Sequence, residues 1–127
     1  MIFRIGIHII FMLLVAVNVF SQATIQPPEK LAAAIANRVI AGTPFTFIDT
    51  ATKQTYTSLK GVPLSMNIEV SSEYNDWHYT NGVLNMALLE LADRTGAKKY
   101  EDYVLKTMNF VFDKDNLGYF EKQYSKA

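Results

Sequence analysis

Apolar positions divide the chain into segments of different period. Ile5 to Phe20 is apolar at almost every position. From Pro27 the pattern becomes helical. Leu31, Ala34, Ile35, Arg38 and Val39 recur at 3.6-residue spacing, and the stem of Arg38 can lie along the stripe. Pro27-Pro28-Glu29 opens this helix, since proline suits its first position and an early carboxylate suits its positive end. Gly42 and Pro44 end it. A second helix is predicted over Trp77–Arg94, capped by Asn75 or Asp76, with Leu84, Leu88, Leu91, Ala87 and Ala92 as its stripe. Gly96 follows as its left-handed terminator. A third runs from about Lys98 to Phe112, where Tyr100, Tyr103, Val104, Thr107, Met108 and Val111 form a wide stripe.

Residues 43–75 break these periods. Phe45–Ile48 and Gln54–Thr57 have strand-like composition, while Gly61, Pro63 and Ser71-Ser72 interrupt them. The prediction is an irregular connection, with room for short strands, covering one end of the helical scaffold. Asp113 to Gly118 reads as a turn, after which Tyr119, Phe120 and Tyr124 begin an extended or irregular segment. The few residues around Gly96 imply that the second and third helices form an antiparallel hairpin. Three aromatic-rich stripes carry more apolar surface than three short helices satisfy among themselves. The fold expected is therefore all-α, the front of a larger helical domain.

The 127 residues allow one ordinary domain at most. Arg4, the apolar run and the small-x-small end Ser21-Gln22-Ala23 describe a secretory signal peptide over residues 1–23. The run is short for a bilayer span of ~20 residues, which argues against a retained anchor. The expected location is periplasmic or secreted, with no membrane association after cleavage. Twelve basic and twelve acidic residues balance, and no concentrated basic face points to nucleic acid. The absence of cysteine excludes disulfides, thiolate metal sites and a Cys nucleophile.

Candidate chemistry gathers in Asp76-Trp77-His78-Tyr79-Thr80-Asn81-Gly82-Val83, which holds the single Trp and the one His outside the first 23 residues. Gly82 weakens the first turns of a helix, so a close neighbouring backbone or ligand competes with plain helix packing as its reason. His78 has no second His or Cys with which to share a metal, and no metal or cofactor is expected. The carboxylates read as caps or solvated charge: Glu69, Glu73 and Asp76 before the helix, Glu90, Asp93, Glu101 and Asp102 on helix ends and faces. No Ser-His-Asp order or Gly-rich phosphate loop is present.

Trp77-x-Tyr79-x-x-Gly82-Val83, the hairpin Thr95-Gly96-x-x-Lys99-Tyr100 with Tyr103, and the turn Asp115-Asn116-Leu117-Gly118-Tyr119 resemble the start of the unsaturated glucuronyl and rhamnogalacturonyl hydrolases, glycoside hydrolase families 88 and 105. The resemblance covers about residues 74–124. It implies an (α/α)6 barrel of six helical hairpins, of which residues 24–127 would be an incomplete N-terminal portion. It implies as partner an unsaturated uronyl oligosaccharide left by a polysaccharide lyase. In that chemistry an aspartic acid protonates the C4=C5 double bond, water adds, and the hydrated sugar opens and leaves. A carboxyl group acting as that donor must be kept protonated near neutral pH. No residue here matches the family's catalytic aspartates, which lie beyond Ala127, so the chain as given is expected to be silent. Tyr79 matches a tyrosine lining the sugar pocket, where its face covers a ring and its hydroxyl bonds a polar group. Trp77 and His78 accompany it as candidate substrate contacts. A hydrogen-bonded core tyrosine, a packing tryptophan and a structural histidine are the competing readings. At the level of the whole chain, the competitors are a non-catalytic helical-hairpin binding module and another enzyme on the same toroid, such as an epimerase or lyase.

Overall fold

The computed structural model describes residues 27–65 and 67–125. The signal-peptide reading falls on residues outside that set. The described chain is mostly helical, with a small three-stranded sheet where an all-α scaffold was expected. Helix α1 spans Pro28–Gly42. Strands β1 (Phe47–Asp49), β2 (Thr55–Tyr56) and β3 (Ile68–Val70) follow. A 3-10 turn at Glu73–Asn75 leads into α2 (Tyr79–Thr95), α3 (Lys99–Phe112) and α4 (Leu117–Tyr124).

Helices α2 and α3 form the expected hairpin. Gly96 adopts φ 67°, ψ 10°, and its N–H donates to Ala92 O at 2.8 Å, closing α2 in the left-handed conformation that glycine takes without a Cβ penalty. The α3 stripe is buried as its period requires: Tyr100, Tyr103, Val104, Thr107 and Val111 all face inward.

Helix α1 is rotated from its expected face. Leu31 and Ile35 remain 58% and 56% exposed, while Ala36 and Val39 enter a core with Leu88, Leu91, Tyr100, Tyr103 and Val104. Small Ala36 permits close approach, and two tyrosines of α3 set the rotation. The Tyr103 hydroxyl donates to Thr43 Oγ1 at 3.2 Å, and Thr43 in turn donates to Val39 O at 2.6 Å. Tyr100 reaches Asn37 Oδ1 at 3.5 Å.

The connection 43–75 is built around a sheet of order β2-β1-β3, both pairings antiparallel. Asp49 closes the β1–β2 turn by accepting from Ala51 N at 2.8 Å and Thr52 N at 3.0 Å, with Lys53 at φ 64°. Phe47, fully buried, carries the sheet into a second core with Leu59, Ile68, Phe110, Val111, Tyr119 and Phe120. It stacks on Phe110 with ring centroids 4.8 Å apart and meets Tyr119 edge-on at 5.1 Å. That docking explains why the segment after 117, expected to be extended, is a helix: α4 places adjacent Tyr119 and Phe120 against one phenyl ring. Asn116 locks the arrangement, accepting from Leu59 N at 3.0 Å and donating to Phe110 O at 2.9 Å. Phe45 joins the two cores, edge-on to Tyr103 and Phe110.

Candidate functional site

The Trp77-His78-Tyr79 run enters α2 from a tightly tied turn. Ser72 Oγ accepts from Tyr74 N at 3.3 Å, and Asn75, with no exposed surface, donates from Nδ2 to Pro44 O at 2.6 Å. Asn81 reaches back from the first turn of α2, donating from Nδ2 to Glu73 O at 2.6 Å and Asp76 O at 2.8 Å. Three backbone carbonyls are thereby held by two buried asparagines.

The cap of α2 is neither Asn75 nor Asp76. Asn75 is committed to Pro44, and Asp76 Oδ1 accepts from the neighbouring Trp77 N at 2.8 Å. His78 takes the position instead. Its extended backbone (φ −134°, ψ 148°) turns Nδ1 onto Thr80 N at 3.4 Å and Thr80 Oγ1 at 3.0 Å. This is the structural role that competed with substrate contact for His78.

A groove of about 550 Å³ begins at this run and continues between α2 and α3. Trp77, His78 and Tyr79 stand at its mouth, and Gly82, Met86 and Leu89 of α2 face Val104, Met108 and Val111 of α3 along its length. The structure therefore brings all three candidate residues to one concavity. Trp77 packs edge-on against Phe112, with centroids 5.2 Å apart and planes at 76°. Tyr79 is 79% exposed at the rim, which removes the core-tyrosine reading. Among the described residues nothing lies within 4 Å of a Cβ built on Gly82, so neither helix packing nor close backbone approach among them accounts for the glycine.

Sequence reasoning missed Asn85. It lines the groove, is 6% exposed, and its Oδ1 has no hydrogen-bond partner. An unpaired buried amide oxygen costs about 1–3 kcal/mol. The available signal was its spacing of four from Asn81, which puts a second asparagine on the same side of a largely apolar helix. A second concavity, of about 540 Å³, lies on the other side of the run among Glu73, Tyr74, Asp76, His78, Thr80, Asn81 and Leu84.

The groove suits an amphipathic ring or an apolar side chain rather than acid–base chemistry. Among the described residues Asp76 is the single carboxylate lining it, and its Oδ1 is already engaged by Trp77 N. Among the described residues no group of three or more His, Asp or Glu could hold a metal ion, and no helix is long and apolar enough to cross a membrane. No protein-family model matches the chain, and neither a curated protein nor a solved structure matches it.

Proposed function

We propose that this chain supplies part of the carbohydrate-binding wall of a six-hairpin glycoside hydrolase of the unsaturated uronyl type. The observation that carries the reading is the grouping of Trp77, His78 and Tyr79 at the mouth of one groove, at the head of the first complete hairpin. The ring face of Tyr79, standing free at the rim, is suited to covering a sugar, with its hydroxyl left for a polar group. The chain then binds its sugar without turning it over.

Trp77 is the single tryptophan and lies in the same mouth, so its fluorescence reports occupancy. Titration with an unsaturated uronyl disaccharide should give a weak, saturable change, and Tyr79→Ala should weaken it about tenfold, the value of one aromatic contact. The ultraviolet absorbance of the conjugated uronyl group should stay constant throughout. Absence of a saturable signal would remove the carbohydrate reading. Loss of the chromophore would show that the chain carries its own catalyst.

The second reading, a non-catalytic helical interaction module, is favoured by a different observation. Apolar side chains of α1 and α2 stand in solvent at helical spacing: Leu31 and Ile35 on one, Val83, Met86 and Leu89 on the other.

A further inference from the structure

Helix α2 begins at the mouth of the groove, and a titratable side chain caps it. His78 Nδ1 accepts from Thr80 N at 3.4 Å, in the position that Ser, Thr, Asp or Asn ordinarily fills. The imidazole is exposed, so solvent protons reach it. The same residue closes the first turn through its backbone, its carbonyl accepting from Asn81 N at 3.0 Å and Gly82 N at 3.3 Å.

The two contacts of Nδ1 differ in what they tolerate. Thr80 Oγ1, 3.0 Å away, can donate to a bare ring nitrogen or accept from a protonated one. The Thr80 N–H can only donate, so the cap needs Nδ1 bare. A proton there removes the acceptor and places a positive charge at the positive end of the α2 dipole. Histidine side chains gain that proton between about pH 8 and 5.

The surroundings offer the charged ring other partners. His78 stands between two concavities, and Asp76 lines both. On one side the 3-10 turn adds Glu73 and Tyr74. On the other, the titratable group of α2 is Tyr79, while α3 presents Val104, Thr107, Met108 and Val111, none of them charged. Among the described residues no lysine or arginine lines either concavity. An imidazolium there shares its space with two carboxylates and no competing cation, which favours turning away from Thr80 N toward Glu73 and Asp76.

We infer that His78 is a pH-sensitive latch on the mouth of the groove. The neutral ring caps α2 and fixes the chain between Trp77 and Tyr79. The charged ring releases the Thr80 N–H and loosens the first turn, which carries Tyr79 and Gly82. The mouth is thus ordered at neutral pH and frays on mild acidification. The latch does not rest on the carbohydrate reading, because it operates whatever the groove binds.

Nitrogen-15 NMR of the full chain reads the latch directly. At about pH 8 the ring nitrogen shifts should place the proton on Nε2. Between about pH 8 and 5.5 the Thr80 amide should move with the midpoint of the His78 ring. Its protection from exchange, corrected for the intrinsic rate at each pH, should fall about fivefold, the value of one lost cap. His78→Asn supplies a cap that does not titrate, so its Thr80 amide should keep its protection. Glu73→Gln and Asp76→Asn should each retain the fall, which separates His78 from titrating carboxylates. A proton on Nδ1 at the alkaline end, or a Thr80 amide that ignores the midpoint of the ring, overturns the inference. So does a fall that persists in His78→Asn or vanishes in either carboxylate variant.

Discussion

Trp77 meets Phe112 edge to face, with ring centroids 5.2 Å apart and planes at 76°. The contact ties the entry of α2 to the last residue of α3, so the mouth of the groove is held by both ends of the hairpin. Phe112→Ala should leave the indole more hydrated, shifting the emission of the single tryptophan to longer wavelength. Edge-to-face pairs contribute about 0.5–1.5 kcal/mol beyond buried area, so the accompanying loss of stability should be small. An unshifted emission spectrum would mean that Phe112 does not shield Trp77 in solution.

Asn81 and Asn85 lie one turn apart on α2, both buried, and should respond oppositely to the same substitution. Asn81→Leu strips hydrogen bonds from the carbonyls of Glu73 and Asp76 and should destabilise by about 2–4 kcal/mol. Asn85→Leu removes an unpaired amide oxygen and should be neutral or stabilising by about 1 kcal/mol. Denaturant unfolding of the two variants checks the pair. Equal destabilisation would show that Asn85 has a partner in solution.

Asn116 bonds both the connection and the end of α3, through Leu59 N and Phe110 O. Asn116→Ala leaves a buried N–H and a buried C=O unpaired and should cost about 2–4 kcal/mol. Hydrogen exchange should place the first loss of protection in residues 55–70 and α4, with the α2–α3 hairpin affected less. Uniform loss of protection would mean that the two cores unfold as one.

Two glycines should separate cleanly. Gly82 sits in helical backbone with open space around its missing Cβ, so Gly82→Ala should stabilise by about 0.5–1 kcal/mol. Gly96 has φ 67°, where a side chain is strained, so Gly96→Ala should destabilise by roughly 1 kcal/mol. Thermal melts of both variants measure the difference in sign.

The Tyr119 hydroxyl is pushed up to about 12 by burial, reinforced by the charges of Asp76 and Glu69 and eased by hydrogen bonds from Val70 and Gln123. The folded chain thus keeps a proton that the unfolded chain releases at its ordinary value of 10. Stability from this group is complete below pH 10 and is lost as pH rises toward about 12. Tyr119→Phe should flatten that alkaline fall in the denaturation midpoint. Tyr103, also raised by burial, should leave a residual slope. An unchanged alkaline limb in Tyr119→Phe would assign the whole fall to other groups.

The helices with a long regular period are legible in the residues themselves. Tyr100 to Val111 form a stripe that suits only a helix, and Gly96 between two periodic segments admits little besides a hairpin, because helical spacing and left-handed φ are local properties. The groove mouth is partly legible as well, since Trp77, His78 and Tyr79 are consecutive residues at the entry of one helix.

Tertiary structure alone decided the rest. Strands of two and three residues carry no readable period, and β3 is defined by pairing with Phe47 across more than twenty residues. Tyr119 and Phe120 favour a strand by propensity and become helical because a helix sets both rings against Phe47. Two stripes on α1 compete for burial. Leu31 and Ile35 are the more hydrophobic, but Ala36 and Val39 allow the closer approach and the Tyr103–Thr43 hydrogen bond. Which face turns inward, and hence which face is left to meet a partner, depends on shape and bonding between segments sixty residues apart.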